Sequence, residues 1–308
     1  MLAMLDWLVV AIYLSALVAM SLYLSRRQET AEDYFVAGNS SGPISIALSV
    51  MATQCSTNSI LGAPAFVAFV VGGGLVWLQY ELALPLAMIF IAIFIIPVFH
   101  RQRLVSVYLY LGRRFDDKTQ LLISGMFQLS RAAVAGITVY GVASMIAITT
   151  GLSFAQAVVL FGAITIIYDV LGGIRAVIFS DVVQMIILTS VLGYLAYLLI
   201  GSAGGLESML AQIPAERTAA LSFRHHGLGD GHDFAFLPML IGGFFLYVAY
   251  YGCDQSQVQR QLCAATQDDN QKILIINGVL RFPLVLLYCL IGAGLAAYAS
   301  SHLSLIHI

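Results

Sequence analysis

Long apolar runs, repeated along the chain with short polar turns between them, leave this sequence few folds to choose from. Such runs lie at 5–24, 44–71, 75–99, 121–150, 154–171, 177–200, 234–251 and 273–298. About 20 apolar residues in a helix cross the hydrocarbon core of a bilayer. The composition agrees, with 60% hydrophobic and only 10% charged residues, where a soluble domain carries about 25% charge. The net charge of −2 is uninformative because the charges sit in a few loops. The fold class is therefore an all-α polytopic membrane protein.

The loops set an orientation. Arg26, Arg27, Arg101, Arg103, Arg113, Arg114, Lys118, Arg175, Arg260 and Lys272 fall on one side, in the segments 25–43, 100–120, 172–176 and 252–272. The long connection 201–233 on the other side holds only Arg217 and Arg224. The positive-inside rule then puts the N-terminus outside. The first run is not a cleavable signal peptide, since Arg26 and Arg27 follow it instead of preceding it. The cysteines (Cys55, Cys253, Cys263, Cys289) show no CxxC spacing, which argues against a zinc site or a disulfide framework. In the outer connection, His225, His226 and His232 fit either a metal site or a solvated loop.

The second run is interrupted at its centre. Residues 52–64 read Ala-Thr-Gln-Cys-Ser-Thr-Asn-Ser-Ile-Leu-Gly-Ala-Pro. Helix-breaking residues at bilayer depth are tolerated where the freed backbone lines a cavity or is buried in protein. Unwound carbonyls there can replace the hydration shell of a cation. The alternative is a kink made by Gly62 and Pro64 that only packs helices closely.

Three stretches carry a family resemblance. The interrupted segment, with Ala52, Gln54, Ser56, Ser59 and Gly62, is the first. The second is Gly172-Gly173-Ile174-Arg175-Ala176-Val177, followed by Ser180-Asp181 and Gln184. The third runs Tyr250-Tyr251-Gly252-Cys253-Asp254-Gln255 and on to Val258-Gln259-Arg260-Gln261. Tyr34-Phe35-Val36-Ala37-Gly38 and Tyr108-Leu109-Tyr110-Leu111 with Arg114-Phe115 add to these. In order along residues 5–300, they resemble the sodium:solute symporters. The resemblance implies a LeuT-like fold of two inverted five-helix repeats. Here 1–43 would hold an extra helix and loop, 44–200 the first repeat, and 201–302 the outer loop and the start of the second repeat. On this reading the chain is C-terminally truncated. Residues 303–308, Leu-Ser-Leu-Ile-His-Ile, resemble a translated sequencing adapter and are expected to be foreign.

The resemblance also nominates residues. Sodium, the coupling ion, would bind the carbonyls of Ala52 and Cys55 beside Ser56, and oxygen ligands suit a hard cation. Asp181, a carboxylate inside a span, would serve a second sodium site or an inner gate; pairing with Arg175 is the structural alternative. Arg131 lies too deep to reach the interface easily and needs an anion. That anion is either a solute carboxylate or Glu81. Tyr250 or Tyr251, next to Tyr247, would close beneath the solute, or else form an interfacial aromatic belt. Gln54, Ser56, Ser59 and Gln79 would supply polar contacts. Arg281 reads as an interfacial charge.

The implied function is sodium-coupled symport of a small organic solute across, in a bacterium, the inner membrane. Arg131 favours a carboxylate, sialic acid or a monocarboxylate, over a neutral sugar. The expected partners are that solute, sodium and lipid, with no nucleic acid. A different class is a transporter-like sensor fused to a signalling module. No enzyme-like cluster of His, Asp, Glu or Ser is evident.

Overall fold

The computed structural model describes residues 3–25, 30–39, 41–56, 58–102, 104–232 and 234–302. Arg26, Arg27 and Arg103 of the orientation argument, and the adapter-like residues 303–308, lie outside the described residues. The described residues are helical and contain no strand. The helices used below are α1 (Met4–Ser25), α2 (Pro43–Gln54), α3 (Ser59–Phe69), α4 (Trp77–Gln102), α5 (Val107–Arg114), α6 (Asp117–Thr150), α7 (Phe154–Tyr168), α8 (Val170–Ser202), α9 (Phe236–Cys253), α10 (Gln255–Gln261) and α11 (Gln267–His302).

Among the described residues, α1, α4, α6, α8, α9 and α11 are each long and apolar enough to cross a membrane. The broken pair α2 and α3 qualifies as one further span. The run at 154–171 falls short. Its helix α7 ends at Tyr168, about 22 Å of rise against a core of about 30 Å.

The chain forms two compact units: Met1–Val50, Val98–Val182 and Gln255–Asn270 make one, and Met51–Pro97, Val183–Asp254 and Gln271–Ile308 the other. In the first unit the Gly-Gly signature has a local cause. Gly173 adopts φ 59° and ψ −172°, a conformation open in practice only to glycine. A side chain at Gly172 would strike Ser21, whose Oγ donates to the Tyr168 carbonyl. Ser106 caps α5 through Tyr108 N at 3.2 Å, and Asp116 caps α6 through Thr119 N at 2.7 Å.

In the second unit α9 runs along α4. Gly243 permits this approach, because a Cβ there would lie 2.9 Å from Ala83 Cβ. Gly292 of α11 similarly faces the Pro64 carbonyl of α3, where a Cβ would come within 2.6 Å. Phe66 joins Trp77 and Phe234 edge-on, with ring centroids 5.0 and 4.9 Å away. This aromatic cluster seats the end of the 201–233 connection on the helices.

Candidate functional site: a buried ion pair at the broken span

The interruption at 52–64 is a true break. The Cys55 N–H donates to Met51 O at 3.2 Å and Ala52 O at 3.0 Å, and the Ser56 N–H turns back to Gln54 O at 2.9 Å. Ser59 Oγ also donates to Gln54 O, at 3.1 Å. A wide π turn, Asn58–Gly62, then leads into the helix that carries Pro64 in its first turn. The break thus sets the Ser59 hydroxyl on the Gln54 carbonyl, and hydroxyls and carbonyls are the kinds of oxygen donor that suit a hard monovalent cation.

Beside the break lies a cavity of about 470 Å³ whose lining includes Gln54, Trp77, Tyr80, Glu81, Tyr247 and Arg281. Its centre is an ion pair. Arg281 Nε lies 2.9 Å from Glu81 Oε2 and Nη2 lies 3.3 Å from Oε1. Tyr247 OH donates to Glu81 Oε1 at 2.8 Å. The side chains of Glu81 and Arg281 are 2% and 11% exposed. The Arg281 guanidinium also lies 5.5 Å from the Tyr247 ring centroid, a cation–π contact. Three donors on one carboxylate offset much of the penalty of burying the pair, and removing one partner of such a pair typically costs about 3–5 kcal/mol. Arg281 is therefore an interior residue and not the interfacial charge expected of it. The rule that an ionisable group inside a span is functional, applied above to Asp181 and Arg131, also covers Arg281.

The remaining nominated residues divide. Gln54 lines the cavity and accepts a hydrogen bond from Tyr251 OH. Tyr247 and Tyr251 are 1% and 0% exposed, so they are core residues and not an interfacial belt. Tyr250 packs edge-on against Tyr251 at 5.4 Å. Cys55 Sγ accepts a hydrogen bond from Tyr288 OH at 3.5 Å. Gln79 is fully buried, but its amide serves the connection between α8 and α9. Nε2 donates to Phe234 O at 2.7 Å, and Oε1 accepts from Ser222 N at 3.1 Å. Ser56, Ser59 and Gln79 are not among the cavity-lining residues.

Two pairings weighed as structural alternatives are replaced. The ion-pair partner of Glu81 is Arg281, and Arg131, in the other unit, places its guanidinium 5.3 Å from the Phe127 ring centroid one turn earlier on α6. Asp181 pairs with Arg260 and not with Arg175. Arg260 Nη2 stands 3.1 Å from Asp181 Oδ2, which also accepts from Ser49 Oγ at 2.5 Å. A further donation from Arg260 Nη1 to Ser256 O, at 2.8 Å, fixes the guanidinium.

The model of the sodium:solute symporter family matches residues 34–306. The chain belongs to that family. Among relatives, the chain resembles the sodium/sialic acid symporter NanT of Aliivibrio fischeri at 30% identity, over 96% of this chain and 57% of that protein. It resembles sodium-coupled monocarboxylate transporter 2 of Bos taurus at 29%, over 89% of this chain and 43% of the relative. The human sodium/iodide cotransporter is 28% identical, over 84% and 39%. The chain thus spans about half the length of the curated relatives it matches. A solved structure of a Na+-coupled sialic acid symporter, in a substrate-bound outward-open state, superposes with a TM-score of 0.84 at 24% identity. It covers 99% of this chain and 62% of that one, and it shows the LeuT-like fold.

Proposed function

We propose that the protein carries a small carboxylate-bearing solute, sialic acid or a monocarboxylate, into the cell together with sodium. The observation that carries this reading is the Glu81–Arg281 pair inside a largely apolar cavity beside a broken span. A guanidinium forms two parallel bonds to a carboxylate. A solute carboxylate can therefore take the place of Glu81 on Arg281, while Tyr247 and Gln54 supply hydroxyl and amide contacts. This assigns to Arg281 the anion-binding role that the sequence suggested for Arg131. Relatives named as sialic acid and monocarboxylate transporters support a carboxylate-bearing solute.

Sodium is assigned to the carbonyls of Ala52 and Cys55 with Ser56 nearby, and Asp181 to the ion's path. A cation beside the break holds α2 and α3 in one arrangement. Coupling follows when that arrangement binds the solute better than its alternative, since equal affinity for both would drive nothing. We further assign an outside N-terminus from the distribution of arginine and lysine among the loops, a bacterial inner membrane as the setting, and an inverted repeat beginning in the segment 201–302.

The test is uptake into proteoliposomes of labelled N-acetylneuraminate and lactate, with sodium or potassium outside. Sodium should raise the initial rate at least tenfold. Equal rates in the two salts would end the symport reading.

A further inference from the structure

One side of the cavity beside the break is set by a residue outside its lining. Tyr80 lines the cavity, and Gly243 of α9, which does not, lies against an edge of the Tyr80 ring. A Cβ at Gly243 would come to 3.1 Å from both Tyr80 Cδ2 and Cε2, and to 2.9 Å from Ala83 Cβ. The ring has occupied flanks. Its centroid stands 5.2 Å from that of Tyr247, one turn further along α9 than Gly243. It stands 6.3 Å from that of Trp77, about one turn earlier on α4. A Tyr80 ring displaced from Gly243 therefore encroaches on the cavity. The adjacent glycine differs, because a Cβ at Gly242 would meet open space. Glycine weakens a helix relative to alanine, and at 243 the closeness of Tyr80 and Ala83 accounts for its presence.

We propose that Gly243 is a positioning residue that sets the largest solute the cavity accepts, acting through the ring of Tyr80. This rests on the reading of the cavity as the carboxylate site and adds the determinant of solute size. At about 470 Å³ the cavity falls within the range of small-molecule sites, a volume that N-acetylneuraminate uses far more fully than lactate. The carboxylate of either acid meets the same guanidinium, held by Glu81 and the Tyr247 ring. Loss of space beside Tyr80 therefore penalises the bulk of a solute and spares its charge.

The experiment is equilibrium binding of labelled N-acetylneuraminate and of lactate to the purified full chain. Gly243→Ala should weaken N-acetylneuraminate about tenfold or more relative to lactate, the scale on which one methylene counts in an apolar pocket. Gly242→Ala should leave the ratio of the two affinities at its wild-type value. In a Tyr80→Ala background, Gly243→Ala should no longer move that ratio, because the ring that transmits the change is gone. Where the single variant folds poorly, Ala83→Gly/Gly243→Ala removes the 2.9 Å contact, keeps the pressure on Tyr80 and should give the same shift. An unchanged ratio in both Gly243 variants overturns the proposal, as does a shift that persists without the Tyr80 ring. Failure of both acids to bind the wild type overturns it too. Arg281→Gln separates the two readings. Acids that bind as well without the guanidinium remove the carboxylate role of Arg281, while the ratio at Gly243 still decides the size role.

Discussion

Arg260 grips Asp181 with two nitrogens, Nε at 3.2 Å and Nη2 at 3.1 Å from the same carboxylate oxygen that Ser49 Oγ approaches to 2.5 Å. Residues 79 positions apart thus share one buried knot. Any cation using Asp181 must compete with the guanidinium for that oxygen.

That competition has a measurable sign. Arg260→Met should increase the apparent sodium affinity of uptake, because the carboxylate is released. Asp181→Asn should lower it and destabilise the protein by about 3 kcal/mol or more, since Arg260 is left buried without its anion. Sodium activation curves and thermal unfolding in detergent read the two effects. A sodium curve unchanged in both variants would take Asp181 out of the ion path.

The Glu81–Arg281 pair makes a different prediction. Arg281→Lys keeps the charge but loses the two-nitrogen fork. It should raise KM for carboxylate solutes tenfold or more, equivalent to about 1.4 kcal/mol. For stability, the double variant Glu81→Ala/Arg281→Ala should lose less than the sum of the two single variants, as coupled partners do. Additive losses would show that the pair is not coupled.

Gly74→Ala tests the seating of the outer connection. The new methyl group would meet the Arg217 backbone, and its φ of 143° is one that L residues rarely adopt. The strain should be about 1–3 kcal/mol. It should appear as faster proteolysis within 219–232, with the remainder of the chain still protected. Wild-type cleavage rates would contradict the contact.

A pH effect is expected at the start of α6. Hydrogen bonds from Thr119, side chain and backbone, hold the Asp116 carboxyl below the usual aspartate range. Its capping contribution is therefore fully present above the unfolded value of about 3.9 and is lost as pH falls through the lower folded value. Amide protection in the first turn of α6 should drop in acid, and Asp116→Ala should remove that pH dependence. Identical profiles for the two proteins would show that the cap contributes nothing.

Much of the architecture was legible in local residue patterns. Hydropathy placed the spans, and the polar residues at 52–64 marked the break because helix-disrupting chemistry is local. The Gly-Gly signature likewise encodes one unusual backbone conformation at Gly173. The partners of the buried charges were not legible. Glu81 and Arg281 are 200 positions apart, and nothing in local spacing says which arginine meets which acid. Sequence proximity suggested Arg175 for Asp181, and apparent depth suggested Arg131 for Glu81; packing supplied Arg260 and Arg281 instead. Gln79 was read as polar and available, whereas the outer connection takes up its amide.

Phe234 stands edge-on to Phe66 at 88° and lines the cavity around Glu81 and Arg281. Its ring belongs to an aromatic contact and to a cavity wall at once, so a bulkier side chain at 234 would reshape that space without touching a charge.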